Sequence, residues 1–325
     1  MVCKNRNLID ARIKKDDEYY TQLEDIEKEV TYYKNQLEDK IVYLNCDNPK
    51  YSQFWTFFIN NFKSWNIKGL VATYYEPVDG STVYCYTVSR EDIDDINKES
   101  LDKAIKKEKL EGNGDFRSEE CIKLMEKADV IVTNPPFSLF IEYVTILMNY
   151  SKDFLVLGNK NAYKYDGIFS YIIEDKIRVG YTSPKSFLRP DGTVKNMAGL
   201  CRWFTTLETG KQHDHLKLTG VRYNEEEYPM YDNYNAIEVP KVSKIPMDYA
   251  GIMGVPITYL DKHNPNDFEI LGKTDRHNSS GLCLKKYTKA DSDNFNALNS
   301  SCVLRTQTGY KGVYTRILIR NKHLQ

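Results

Sequence analysis

Residues Val130 to Phe140 read VIVTNPPFSLF. An apolar, β-branched run (Val130, Ile131, Val132, Thr133) stops at Asn134-Pro135-Pro136-Phe137, and an apolar segment follows. Two successive prolines neither continue a strand ladder nor enter a helix interior, because each lacks an N–H and has a fixed φ. They stiffen the backbone where a buried strand would end. The Asn134 amide oxygen and the Pro135 carbonyl are both acceptors, and the Phe137 ring stands beside them. Acceptors held rigidly next to a ring suit a planar group that carries an NH2. Asn134, Pro135, Pro136 and Phe137 are therefore the candidate catalytic residues.

The elements that must position this turn can be read outward from it. Apolar residues at spacings of three and four (Leu23, Ile26, Val30, Tyr33, Leu37) predict a helix over Asp16–Lys40. Short buried strands are expected at Ile41–Leu44 and Gly69–Tyr75, with a helix capped by Ser52 between them. Pro77 to Gly114 is polar and irregular. It reads as an insertion with a small hairpin (Thr82–Val88) and a Lys/Glu-rich helix (Glu99–Lys109). A helix at Glu119–Lys127, capped by Ser118, leads into the Val130–Thr133 strand. A helix over Ser138–Tyr150, a strand at Phe154–Leu157, a helix near Ile168–Glu174 and strands at Ile177–Tyr181 and Cys201–Leu207 follow. Strands alternating with helices indicate an α/β fold on a mainly parallel sheet. The alternation stops near Gly210, where a domain change is expected.

In open α/β sheets, ligands sit beyond the carboxyl ends of the strands. The loops expected there are Asn45–Pro49, Tyr75–Glu76, Gly114–Phe116 and Asn134–Phe137. Glu76 ends the second strand, the usual place of a partner for ribose hydroxyls. Asp115 offers a carboxylate to an adenine amine, and Phe116 a ring to stack on it.

The 325 residues are 41% hydrophobic and 13% aromatic, with 25 Tyr. The net charge of −1 does not announce a nucleic-acid binder, but its distribution says more. Met1–Val130 carries 20 Lys and Arg against 26 Asp and Glu, whereas Ile270–Gln325 carries 10 against 3. That asymmetry suggests a basic contact surface near the C-terminus. The candidates there are Lys285, Lys286, Lys289, Arg305, Lys311, Arg316 and Arg320, interleaved with Tyr287, Tyr310 and Tyr314. The seven Cys are scattered and form no Cys-x-x-Cys pair, which argues against zinc or a disulfide framework. His213-x-His215 reads as a polar loop, and no metal is expected. No signal peptide or transmembrane-length run is visible, so a reduced, cytoplasmic protein is expected.

Asn-Pro-Pro-Phe after a β-branched run is the motif of methyltransferases that act on the exocyclic amine of adenine. The chain resembles the EcoRI-type family of adenine-specific DNA methyltransferases over nearly its whole length. The matching pieces, in order, are Tyr19-Tyr20-Thr21-Gln22, Val42 to Pro49, Gly114 to Ser118, Val132 to Phe140, Tyr231-Asp232-Asn233-Tyr234, Met253 to Thr258, and Arg316 to Lys322. The resemblance implies S-adenosylmethionine as methyl donor and a Rossmann-like catalytic domain over residues 1–209, with an insertion near 77–113. It implies a target-recognition region over 210–325. Tyr20, Thr21 and Asp47 would face the cofactor's methionine end, Glu76 its ribose, and Asp115 with Phe116 its adenine. Asn134, Pro135 and Phe137 would hold a target adenine flipped out of double-stranded DNA. The first-strand loop departs from the broader methyltransferase pattern in lacking Gly-x-Gly, and Asn48-Pro49 is expected to make its turn instead. The enzyme is expected to be monomeric and of restriction–modification type, and the sequence leaves open whether a cognate endonuclease shares its site. The alternatives are an amine methyltransferase of the same fold acting on RNA or a protein glutamine, and a DNA-binding relative without activity.

Overall fold

The computed structural model describes residues 19–76, 81–93, 96–189, 192–210, 215–277 and 280–324. The chain divides into two compact units. One comprises residues up to Ile172 with Lys176–Thr209, and the other comprises Ile173–Asp175 with Gly210 onward.

In the first unit, β1 (Tyr20–Thr21) precedes helices α1 (Leu23–Val30) and α2 (Lys34–Leu37). Then come β2 (Ile41–Asn45), α3 (Gln53–Asn61), β3 (Gly69–Thr73), β4 (Tyr84–Ser89), α4 (Lys98–Ala104) and β5 (Lys106–Lys109). They are followed by α5 (Glu119–Lys127), β6 (Val130–Thr133), α6 (Phe140–Asn149), β7 (Asp153–Asn159) and α7 (Asp166–Ile173). The unit closes with β8 (Arg178–Val179), β9 (Ser186–Leu188), β10 (Val194–Asn196) and β11 (Cys201–Thr205). Eight strands form one sheet in the order β5-β4-β3-β2-β6-β7-β11-β8. The central strands β3, β2, β6 and β7 run parallel, and the flanking strands are antiparallel. The chain steps from β2 to β3 on one side, then returns to lay β6 on the other. The switch point therefore falls between β2 and β6.

The sequence explains this centre. Val42 and Leu44, Leu70 and Ala72, Val130 and Val132, and Leu155 and Leu157 are buried in one core. Alternate residues Tyr43, Ile131, Phe154 and Val156 are buried as well. Strands covered on both faces read as continuous apolar runs. Helix α3 starts where Ser52 Oγ accepts from the Phe54 amide at 3.1 Å. Helix α5 starts where Ser118 Oγ accepts from the Cys121 amide at 3.2 Å.

The sheet is mixed rather than mainly parallel, because antiparallel strands flank the parallel centre on both sides, and three further features differ from the sequence-based expectation. The first helix starts at Leu23, because Tyr20 and Thr21 pair instead with Leu188 and Phe187 of β9; residues 16–18 lie outside the described residues. The segment read as an insertion contributes β4 and β5 to the main sheet rather than a free-standing hairpin, and the helix expected to reach Lys109 stops at Ala104. Its last residues, Lys106-Lys107-Glu108-Lys109, form the exposed edge strand, and charge on an edge deters pairing with other chains. The third is a separate three-stranded sheet, β1-β9-β10. Its strands are only two or three residues long, too short to show a period.

In the second unit, β12 (Ile237–Glu238), β13 (Met253–Pro256), β14 (Phe268–Lys273) and β17 (Arg316–Asn321) form a sheet ordered β12-β13-β17-β14. The strands β15 (Val303–Thr306) and β16 (Gly309–Gly312) form a hairpin.

Candidate active site

The carboxyl ends of β2, β3 and β6 open onto a cavity of about 380 Å³. Tyr20 and Thr21 line it from β1, Asp47 follows β2, and Glu76 follows β3. Asp115 and Phe116 come from the loop before α5, and Asn134, Pro136 and Phe137 from the turn after β6. Pro135 is buried and is not among the lining residues. The other candidate cofactor and catalytic residues, distant in sequence, thus line one cavity.

Local geometry explains how each arrives there. At the end of β2, the Cys46 and Asp47 amides both donate to the Thr73 carbonyl, at 3.0 and 2.9 Å. That bend needs Cys46 at φ 105°, in the left-handed region glycine favours. Cys46 thus carries the tight turn, while the Asn48 side chain accepts from the Lys50 amide at 3.1 Å and shapes the next one. After β3, the Glu76 amide donates to the Asn113 carbonyl at 3.0 Å. Gly114 follows at φ 76°, so close that a Cβ there would lie 1.9 Å from the Tyr74 carbonyl oxygen. Only glycine lets the Asp115 loop approach β3 so closely.

Asp47 is 7% exposed. Its Oδ1 accepts from Ser52 Oγ at 2.8 Å, and its Oδ2 lies 2.5 Å from Thr133 Oγ1. Burial pushes its carboxyl up to about 6, against the pull of the Thr133 and Ser52 hydroxyls. Thr133 Oγ1 also lies 2.8 Å from the Asn45 carbonyl. A hydroxyl has one hydrogen. If Thr133 gives it to Asn45, a protonated Asp47 completes the pair by donating to Thr133.

Asp115 is held by Arg117, whose Nε and Nη2 meet its two oxygens at 2.9 and 2.6 Å. Phe116 is 6% exposed and packs edge-on against Tyr143, with centroids 4.9 Å apart. Its ring therefore serves the core as well as the cavity.

The Asn134 amide is the most specific feature. Its Nδ2 donates to the Tyr19 main-chain carbonyl at 2.6 Å. Its Oδ1 is buried with no hydrogen-bond partner. An amide can flip, but the Tyr19 carbonyl accepts only from nitrogen, so the oxygen must be the end left over. A buried acceptor without a partner costs about 1–3 kcal/mol, and a ligand N–H would relieve it. Thr21 Oγ1 is likewise buried without a partner, and Thr21 lines the same cavity.

Sequence reasoning gave Tyr19 no role. It supplies the carbonyl, and its ring lies 6.2 Å from both Phe137 and Phe187. Lys195 caps that ring at 4.5 Å and hydrogen-bonds its hydroxyl. Tyr19 stands two residues before Thr21, a spacing that puts both on one face of a strand. That was the available signal, and Lys195 had none.

Comparison with known proteins identifies the family. Residues 7–322 match the family described as adenine-specific methyltransferase EcoRI. The chain belongs to that family. It is 37% identical to Type II methyltransferase M.EcoRI of Escherichia coli, over 99% of this chain and 98% of that protein. It is 38% identical to Type II methyltransferase M.MpnI of Mycoplasma pneumoniae, over 80% of this chain and 83% of that protein. Identity to Type II methyltransferase M.MgeORF184P of Mycoplasma genitalium is 36%, over 80% and 84%. No solved structure matches it. As a member of the EcoRI family, the chain is a site-specific, adenine-specific DNA methyltransferase.

The seven basic candidates of this methyltransferase lie in its second unit and differ in availability. Lys286, Lys289 and Lys311 are exposed. Arg320 is exposed and pairs with Glu269 at 2.7 Å. Lys285 and Arg305 share Asp232, at 2.8 and 2.9 Å. The Arg316 side chain is only 11% exposed and pairs with Glu238 at 2.5 Å, a structural engagement that a count of basic residues does not show. His215 pairs with Asp267 at 2.7 Å, while His213 lies outside the described residues. Among the described residues no group of side chains could hold a metal, and no helix is long and apolar enough to cross a membrane.

Proposed function

We propose that this methyltransferase transfers a methyl group from S-adenosylmethionine to N6 of an adenine flipped out of double-stranded DNA. The observation that carries the reading is the buried, unpartnered Asn134 Oδ1, held in place by Tyr19. The catalytic fold is read as Rossmann-like and placed in the first unit, with DNA contact and target recognition in the second. The protein is read as cytoplasmic and monomeric. The Type II names of its relatives suit one half of a restriction–modification pair, with a cognate endonuclease as the other.

The cavity fits the cofactor on its own chemistry. Thr21 Oγ1 needs a partner, Asp47 and Glu76 offer carboxylates, and Phe116 offers a ring. These residues, with Tyr20 and Asp115, would hold S-adenosylmethionine, which when bound supplies an electrophilic methyl group. The adenine amine is a poor nucleophile because its lone pair is delocalised into the ring. The Asn134 oxygen would accept one of its hydrogens, favour a pyramidal nitrogen and leave the lone pair free to face the methyl group. The Pro135 carbonyl, which does not line the cavity in the free protein, would have to come within reach to accept the other. Transfer would be direct: the N6–carbon bond would form as the sulfur–methyl bond breaks and the neutral thioether departs. N6 would shed one hydrogen as a proton to water by way of the Asn134 oxygen, and the rate gain would rest on orientation and electrostatics. Phe137 stacks on the extruded base.

Phe137→Ala removes that stacking surface. Base–aromatic stacking is worth about 1–3 kcal/mol, so the KM for DNA should rise roughly ten- to hundred-fold, with cofactor affinity unchanged. Steady-state kinetics at varied DNA concentration checks this.

Asp47 makes cofactor binding depend on pH. With its carboxyl at about 6 in the free protein, Asp47 is neutral below that pH. A cofactor bearing a sulfonium and an ammonium favours the anion, so binding expels a proton below about pH 6. Affinity should rise with pH by up to about tenfold per unit below 6 and level off above it. The same raised value means that Asp47 contributes to the stability of the free fold in acid, and that this contribution is lost as pH rises through about 6. Calorimetric titration in buffers of different ionisation enthalpy reads the proton directly, and a flat profile would contradict the assignment.

The function itself is tested by offering tritiated S-adenosylmethionine with duplex DNA, RNA and protein. Label is expected in duplex DNA only, and label in RNA or protein instead would overturn the reading.

A further inference from the structure

The Tyr231-Asp232-Asn233-Tyr234 segment has no part in the chemistry above, yet basic residues of the second unit converge on it. Asp232 is the centre. Its carboxylate is 11% exposed. Oδ2 accepts from Lys285 Nζ at 2.8 Å and from the Tyr287 hydroxyl at 2.7 Å. Oδ1 accepts from Arg305 Nε at 2.9 Å. The Asp232 amide donates to the Val303 carbonyl of β15 at 2.8 Å, which pins it beneath the hairpin. Burial works against the charge of Asp232, and Lys285, Tyr287 and Arg305 outweigh it and hold the carboxyl below its ordinary range.

The cations serve this centre differently. The Lys285 ammonium sits 4.8 Å from the Tyr287 ring and 5.1 Å from the Tyr310 ring, engaged by an anion and two aromatic faces. Arg305 projects from β15 with its side chain 72% exposed. Its guanidinium lies 5.9 Å from the centre of the Tyr310 ring. With Nε turned inward to Asp232, the terminal-amino edge is what faces outward.

We propose that Asp232 orients Arg305 as a base-reading side chain, and that Arg305 recognises a guanine of the target sequence through O6 and N7. This rests on the reading that the second unit touches DNA. Asp232 offsets part of the cationic charge here and is shared with Lys285, and a planar fork fixed at Nε matches the paired O6 and N7 acceptors of guanine. A phosphate is the other acceptor of suitable shape, and the test below separates the two.

The test methylates a pool of duplexes randomised around an adenine, using the wild type, Arg305→Lys, Asp232→Asn and Arg305→Ala. Single-molecule sequencing then locates the modified sites, and binding of each protein is measured against salt. Arg305→Lys and Asp232→Asn should lose roughly ten- to hundred-fold of selection for guanine at the same one position, with the other positions kept. Selection lost in Arg305→Lys but kept in Asp232→Asn would overturn the orienting role. Unchanged selection in both, with a salt slope shallower by about one in Arg305→Ala, would make Arg305 a phosphate contact and overturn the base reading. Unchanged selection and salt slope in all three would instead count against DNA contact by this hairpin.

Discussion

Replacing Asn134 with Ala is expected to lower kcat by about 10²–10³, the usual cost of removing one preorganised group at the reacting centre. Cofactor affinity should stay within about twofold of wild type, because in the proposed mechanism the acceptor that is lost faces the target amine. The size of the effect follows from the geometry. Asn134 is not a mobile surface side chain that water could replace. It stands on a turn stiffened by two prolines, and its nitrogen is tied to Tyr19 at 2.6 Å. Its oxygen is already stripped of partners before substrate arrives. The enzyme therefore carries the desolvation cost in the free state, and the gain appears only when an amine hydrogen reaches the oxygen. Single-turnover methylation with saturating DNA, beside a cofactor titration, separates the two. An equal loss of cofactor binding would point to a collapsed cavity instead.

Replacing Glu29 with Ala is expected to destabilise the first unit by about 4 kcal/mol, because it leaves buried donors unpaired. Glu29 is fully buried on α1. Its Oε1 accepts from the Tyr33 hydroxyl at 2.9 Å and the Tyr181 amide at 2.8 Å. Its Oε2 accepts from the Thr182 amide at 2.6 Å and hydroxyl at 2.7 Å. Burial pushes its carboxyl up, and these donors pull it back. The site is sterically closed as well, since a Cβ on Gly180 would lie 2.2 Å from Glu29 Oε1. Thr182 leads into β9, so Glu29 anchors the small sheet beside Tyr19, whose carbonyl meets Asn134. Urea denaturation measures the loss, and a midpoint within error of wild type would refute the anchoring role. Glu29→Gln should lose less, because it keeps an acceptor for part of the donor set.

The parallel centre and the Asn134–Phe137 turn were legible because their causes are local. Val130–Thr133 is buried on both faces and announces itself as a β-branched run, and two prolines must end it. Glu76 and Asp115 could be placed by the strands that deliver them. The edge strand at Lys106–Lys109 was not legible, since four charged residues carry no strand period and the pairing with β4 decides their form. Tyr19 and Lys195 meet the turn only through three strands of two or three residues, and the defining contact spans 115 residues of sequence. Composition showed a basic C-terminal region but not which cations are engaged. Arg316 reads as surface charge until Glu238 is seen beside it, and Asp232 has no meaning until Lys285 and Arg305 converge on it.

The central claim is that a stiff turn lends acceptors to the amine of an extruded adenine. It is tested most directly by digesting methylated duplex DNA to nucleosides and identifying the modified base by mass spectrometry, with wild type and Asn134→Ala run side by side. The account predicts N6-methyladenine from the wild type and almost none from the variant, with both proteins still binding cofactor. Undiminished N6-methyladenine from Asn134→Ala, or a different methylated base from the wild type, would contradict it.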